Sequence, residues 1–141
     1  YTGNPALFPL YAQDLPQDVL IVHINPLERA EVPRNPQAIQ NRINEISFNS
    51  SLLREMRAIR FVHRLLDDGA LSEGAMKRVH VHMVANDDLM QELSLASKMV
   101  PAPYLLHRLH DAGYEAAGTF LANHRDDLNT RGTVDLEAMF S

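Results

Sequence analysis

Apolar residues in this chain follow two periods. Between 39 and 66 they recur as Ile39, Ile43, Ile46, Leu52, Leu53, Met56, Ile59, Val62, Leu65 and Leu66. The steps are mostly three and four, which lines one face of an α-helix. Asn35 can cap such a helix, Pro36 suits its first turn and Gly69 suits a left-handed C-cap, so a long helix is expected over 37–68. As one rod it would measure about 45 Å. Asn49-Ser50-Ser51 are weak helix formers and mark where it would kink. A second helix is expected over 103–125, opened by Pro101 and Pro103, with the stripe Leu105, Leu109, Ala112, Ala116, Phe120 and Leu121.

Period two, or a short apolar run, marks the strands. Asp18 to Ile24 reads DVLIVHI between Pro16 and Pro26, the pattern of a parallel strand buried on both faces. Residues 78–84, RVHVHMV, alternate Val79, Val81 and Met83 against His80 and His82. Residues 5–12 form a short helix limited by Pro9, and 25–36 form a loop beyond the first strand's carboxyl end, where α/β proteins often build ligand-facing segments. A short helix is expected near Asp88 to Leu93, a loop over 126–133, and a last turn or docking segment in VDLEAMF. No repeat or flexible linker interrupts the chain, so 1–141 is expected to be one α/β domain, mainly helical with at least two sheet strands.

Composition narrows this little. The 141 residues are 45% apolar and 22% charged, an ordinary globular balance. With no cysteine there is no disulfide scaffold, thiolate metal site or cysteine nucleophile. A net charge of −5, from 13 basic and 18 acidic residues, argues against a nucleic-acid partner. The longest wholly apolar run, Val19 to Val22, is far short of the roughly 20 residues a membrane helix needs. No signal peptide is visible, and a soluble, cytoplasmic chain is expected. Tyr1-Thr2-Gly3-Asn4-Pro5 reads as a tight loop entering a helix, with Asn4 as cap and Pro5 in the first turn. Two strands are few for a buried parallel sheet, so the rest of the sheet is expected from upstream sequence or from self-association.

Five stretches together resemble the C-terminal portion of bacterial patatin-like phospholipases: GNPALFPLY at 3–11, DVLIVHINP at 18–26, RINEISFNSSLLREMRAI at 42–59, RVHVHMV at 78–84 and LHDAGYEAAGTFLANHRDDLNTRGTVDL at 109–136. The middle and last stretches are the most specific, since helix formation alone does not dictate them. The resemblance implies a three-layer α/β fold and a lipid acyl hydrolase that uses a Ser–Asp dyad and no metal or other cofactor. In that family the Ser lies in a G-x-S-x-G elbow, near glycine-rich oxyanion donors, and the Asp lies in a D-G-G or D-G-A motif shortly before an N-P element. This sequence holds neither the elbow nor the glycine-rich loop. The Asp motif is expected just ahead of Tyr1, so no catalytic residue is assigned in this chain and it is expected to be inactive alone. Tyr1, Gly3, Asn4 and Pro5 are placed near the active-site loop, with a lipid or acyl ester as the substrate of the larger protein.

Other candidates have ordinary readings beside them. Asp68-Gly69-Ala70 spells D-G-A, but it ends a helix, where Gly is a C-cap. His80 and His82 share a strand face, yet two ligands are too few for zinc, and His23 reads as a structural histidine. Arg54, Arg57, Arg60 and Arg64 form a basic helical stripe suited to anionic lipid headgroups and peripheral membrane contact, against the commoner reading of a solvated face paired with Glu55, Asp67 and Asp68. Met76, Met83, Met90 and Met99 read as gap-fillers. The alternative to the hydrolase is a non-catalytic interaction or regulatory module that docks through the long helix.

Overall fold

A computed structural model describes residues 5–72, 74–93, 100 and 102–141. The order is a 3-10 turn Phe8–Tyr11, β1 Asp18–His23, α1 Pro36–Asp67, β2 His80–Ala85, α2 Asp87–Glu92, α3 Pro103–His124, a 3-10 turn Arg125–Asp127 and α4 Leu136–Met139. β1 and β2 pair as a parallel two-stranded sheet, and the chain is a helix-rich α/β protein. Its residues group into two compact units. The first takes residues up to Ile21, Ser50–Met83 and Asp126–Ser141; the second takes Val22–Asn49 and Val84–Arg125.

The first unit has an aliphatic core. Val19 and Ile21 of β1 and Val79 and Val81 alternate onto one sheet face. There they meet Leu52, Met56 and Ile59 of α1, with Leu7 and Leu136 completing the cluster. α1 ends as its sequence predicts: Gly69 takes φ +68° and the Ala70 N–H donates to Leu65 O at 2.9 Å. The strap 131–134 closes on β2, where the Thr133 and Val134 N–H groups both donate to Val81 O at 3.0 and 3.1 Å. Gly132 permits this approach, since a Cβ there would lie 3.0 Å from Val81 N. The Asp135 side chain then caps α4 by accepting from Ala138 N at 2.9 Å.

The second unit pairs α2 with α3. Asn86 caps α2 by accepting from Leu89 N at 3.0 Å. Leu89, Met90, Leu93 and Leu105 are buried together, with Ala102, Leu109 and Ala112 packed against them. Phe120 is buried farther along α3, while its neighbour Leu121 is exposed, so the inward stripe is narrower than the apolar pattern suggests. The first half of α1 also belongs here, started by Asn35, whose side chain accepts from Ala38 N at 2.8 Å.

Three expectations need correction. DVLIVHI is not buried on both faces: its burial alternates, leaving Leu20 51% and Val22 72% exposed, because the described residues cover only the face of Val19, Ile21 and His23. β2 is the more enclosed strand, with His80, Val81 and His82 all buried. The short helix over 5–12 is a four-residue 3-10 turn, since Pro9 at its start supplies no N–H. The apolar stripe of α1 does not face inward throughout. Ile39, Ile43 and Ile46 are exposed, while Glu45 and Asn49 are buried. The inward line runs Glu45, Asn49, Leu52, Met56, Ile59, in steps of four and three, so its first two positions are polar. α1 remains helical across Asn49-Ser50-Ser51. No described helix is long and apolar enough to cross a membrane.

Candidate functional site

Tyr1, Gly3 and Asn4, the residues expected beside a catalytic loop, lie outside the described residues, and Pro5 is half-buried. The segment that follows Pro5 is held from two sides. The Leu7 N–H and the Tyr11 hydroxyl both donate to Glu55 Oε2 of α1, each at 3.1 Å. The ammonium of buried Lys77 donates to Leu10 O at 2.8 Å and Ala12 O at 3.1 Å, satisfying carbonyls that a 3-10 turn leaves open. Burial, then the hydrogen bond to Glu55 and its charge, push the Tyr11 hydroxyl well above its ordinary value, so it stays a donor. Leu7 is buried in the core. The segment is thus tied both to α1 and to the residues just before β2.

A second polar cluster joins β1, β2 and the loop before α4. Asp18 Oδ1 lies 2.9 Å from His82 Nε2 and 3.4 Å from His80 Nδ1. Asp18 Oδ2 accepts from Asn129 N at 2.7 Å, and His82 Nδ1 lies 3.1 Å from Thr133 Oγ1. Asn129 adopts φ 60°, which Asn tolerates better than most residues. Burial pushes the Asp18 carboxyl up, but the His82 hydrogen bond, the Asn129 N–H and the charges of the two histidines outweigh it and hold the carboxyl below its usual range. The order Asp, His, hydroxyl has the connectivity of an acyl-transfer relay. His82 itself is 0% exposed, enclosed between Asp18 and Thr133. The arrangement is a clamp across the sheet. Both His82 nitrogens are engaged, and among the described residues no group of three or more His, Asp or Glu is placed to hold a metal ion.

In the second unit, the loop after β1 is stapled to the first half of α1. Asn49 Nδ2 donates to Pro26 O at 2.9 Å, and Arg42 Nη2 donates to Leu27 O at 3.1 Å. Glu45 accepts a two-point contact from Arg29 at 2.6 and 2.8 Å and a third from Arg42 at 3.3 Å. Burial raises the Glu45 carboxyl, yet the two guanidiniums more than reverse this and its value falls below the ordinary one. His23, at the end of β1, is buried and its Nε2 has no hydrogen-bond partner. Burial drives it toward the neutral form, against the Asp87 charge and a backbone contact at Asn25.

The arginine stripe has other partners than those expected. Arg54 Nε donates to Ser50 O at 3.2 Å, and Arg60 pairs with Glu137 at 3.0 Å. The Arg57 guanidinium sits 5.3 Å over the Phe140 ring, and that of Arg64 sits 5.3 Å over Phe61. Glu55 is taken by Leu7 and Tyr11, and Asp67 pairs with Arg78. Asp68 lies at the capped end of α1, and its Gly69 is the left-handed residue there. Periodicity passes over Asp18, Glu45, Asn49, Glu55 and Lys77, because it places polar residues outside. One signal for two of them was available: Glu45 and Asn49 fall in register with Leu52 and Met56. No protein-family model, no curated protein and no solved structure matches this chain.

Proposed function

We propose that this chain is the C-terminal segment of a patatin-like serine acyl hydrolase, a lipid esterase that works with a Ser–Asp dyad and no cofactor. One observation supports the reading above others. Each of the stretches that carry the resemblance is tied to another of them by a long-range polar contact. Glu55 of the 42–59 stretch holds Leu7 and Tyr11 of the 3–11 stretch. Asn49 of the same stretch holds Pro26 at the end of the 18–26 stretch. His82 of the 78–84 stretch holds Asp18 on one side and Thr133 of the 109–136 stretch on the other. Dyad chemistry needs its carboxylate fixed against the serine within a fraction of an ångström, and such crossings supply that stiffness from outside the reacting atoms.

In this reading the chain contributes positioning groups. Glu55 and Lys77 anchor the segment that follows Asn4-Pro5, and the dyad itself comes from upstream sequence. A second reading, a non-catalytic module docking through α1, draws on the exposed Ile39, Ile43 and Ile46.

Hydrolysis of a short p-nitrophenyl ester distinguishes them. The polypeptide that joins this chain to an upstream G-x-S-x-G elbow is expected to turn over and to lose activity when the elbow Ser becomes Ala. The 141 residues alone are expected to show no turnover. Activity in the 141-residue chain, or a joined protein indifferent to loss of that Ser, overturns the assignment.

A further inference from the structure

On the first unit, α1 carries a face that core packing does not use. Arg54, Arg57, Phe61 and Arg64 follow one another in steps of three, four and three, which stacks them along a single exposed stripe. Arg54, Arg57 and Arg64 are exposed, and Phe61 is 50% exposed. Among the described residues none of the three arginines meets a carboxylate. Arg54 reaches a backbone carbonyl, while Arg57 and Arg64 lie over the Phe140 and Phe61 rings. Arg60, next to this stripe in sequence, differs: it is half-buried and neutralised by Glu137. The acidic limit is Asp68, one turn beyond Arg64.

Three guanidiniums unpaired by acids, on a chain whose net charge is −5, form a local charge opposite in sign to the whole. Stacking on an aromatic face leaves the edge of a guanidinium, with its N–H donors, free for a phosphate. An exposed Phe set between arginines adds an apolar side chain able to enter a headgroup layer. We infer that the Arg54–Arg57–Phe61–Arg64 stripe, with Phe140 beneath Arg57, docks the protein on an anionic phospholipid surface, the arginines taking lipid phosphates and Phe61 inserting. Arg60 is not part of this surface. The inference rests on the stripe itself and not on the hydrolase reading, and its test measures binding, so the two fail separately.

The test is co-sedimentation of the 141-residue chain with phosphatidylcholine vesicles, with and without phosphatidylserine. Partition is expected only onto the anionic vesicles, and it is expected to weaken steeply as salt screens the contact. Each of Arg54→Ala, Arg57→Ala and Arg64→Ala is expected to lower partition about fivefold, and the triple variant on the order of a hundredfold. Phe61→Ser is expected to weaken it without changing the salt slope. Arg108→Ala removes the same charge from a residue paired with Glu92 and is expected to leave partition unchanged. Far-UV circular dichroism checks that the variants stay folded, as exposed positions should. Equal binding to neutral vesicles, no binding to either, full binding by the triple variant, or the same loss in Arg108→Ala overturns the inference. So does binding to heparin or an acidic peptide with none to vesicles, which would make the stripe a site for soluble polyanions.

Discussion

The two halves of α1 solve the same packing problem with opposite chemistry. In the first unit the inward line is Leu52, Met56 and Ile59, set against the sheet aliphatics. In the second unit that line continues as Glu45 and Asn49, which take hold of the loop after β1. The helix outside this line differs as well: Ile39, Ile43 and Ile46 are exposed on the first half. The inward line of one half is therefore apolar, and that of the other is made of directed polar contacts. A helical period shows that a helix forms. It does not show which side faces in, because a loop rich in open carbonyls recruits donors where a sheet recruits methyl groups.

The contrast can be broken most forcefully at Met56. Met56→Ala leaves a cavity in a fully buried site and is expected to destabilise the first unit by about 2–5 kcal/mol, read by denaturant unfolding. A smaller effect is expected at Glu45. Glu45→Ala strands Arg29 and Arg42 and is expected to cost about 2 kcal/mol, seen by hydrogen exchange in residues 25–29 ahead of the first-unit core.

Acid sharpens the same comparison. The folded values of Glu45 and Asp18 lie below the ordinary ones. Each therefore contributes stability that is full above the ordinary carboxylate values of about 4 and is lost as pH falls through the lower folded value. Glu45→Gln should blunt that loss in the second unit and Asp18→Asn in the first, so exchange measured down to low pH should separate the two units. The smallest effect is expected at Ile43, where Ile43→Ser should change stability by no more than about 0.5 kcal/mol. A larger loss would mean that this face is covered in solution.

Elements whose cause is local were legible in the sequence. Asn35 and Gly69 bound α1 because a cap side chain and a left-handed glycine act within a turn of themselves. RVHVHMV and the Pro103 helix lie close to their expected limits, the first through its alternation and the second through its opening proline. The one-sided burial of DVLIVHI is not legible in the sequence, since a run of Val and Ile reports β preference and leaves open how many neighbours the strand has. At the candidate site, Pro5 and the arginines could be named from sequence, but their partners could not. Glu55 meets Leu7 across 48 residues and Asp18 meets Asn129 across 111, and neither distance leaves a periodic trace.

The strap at Gly132 has one more consequence. By spending two N–H groups on Val81 O, it occupies one outward carbonyl of β2 that an incoming strand would otherwise use. A bulkier residue at 132 would crowd the Val81 backbone and return that carbonyl to a new neighbour.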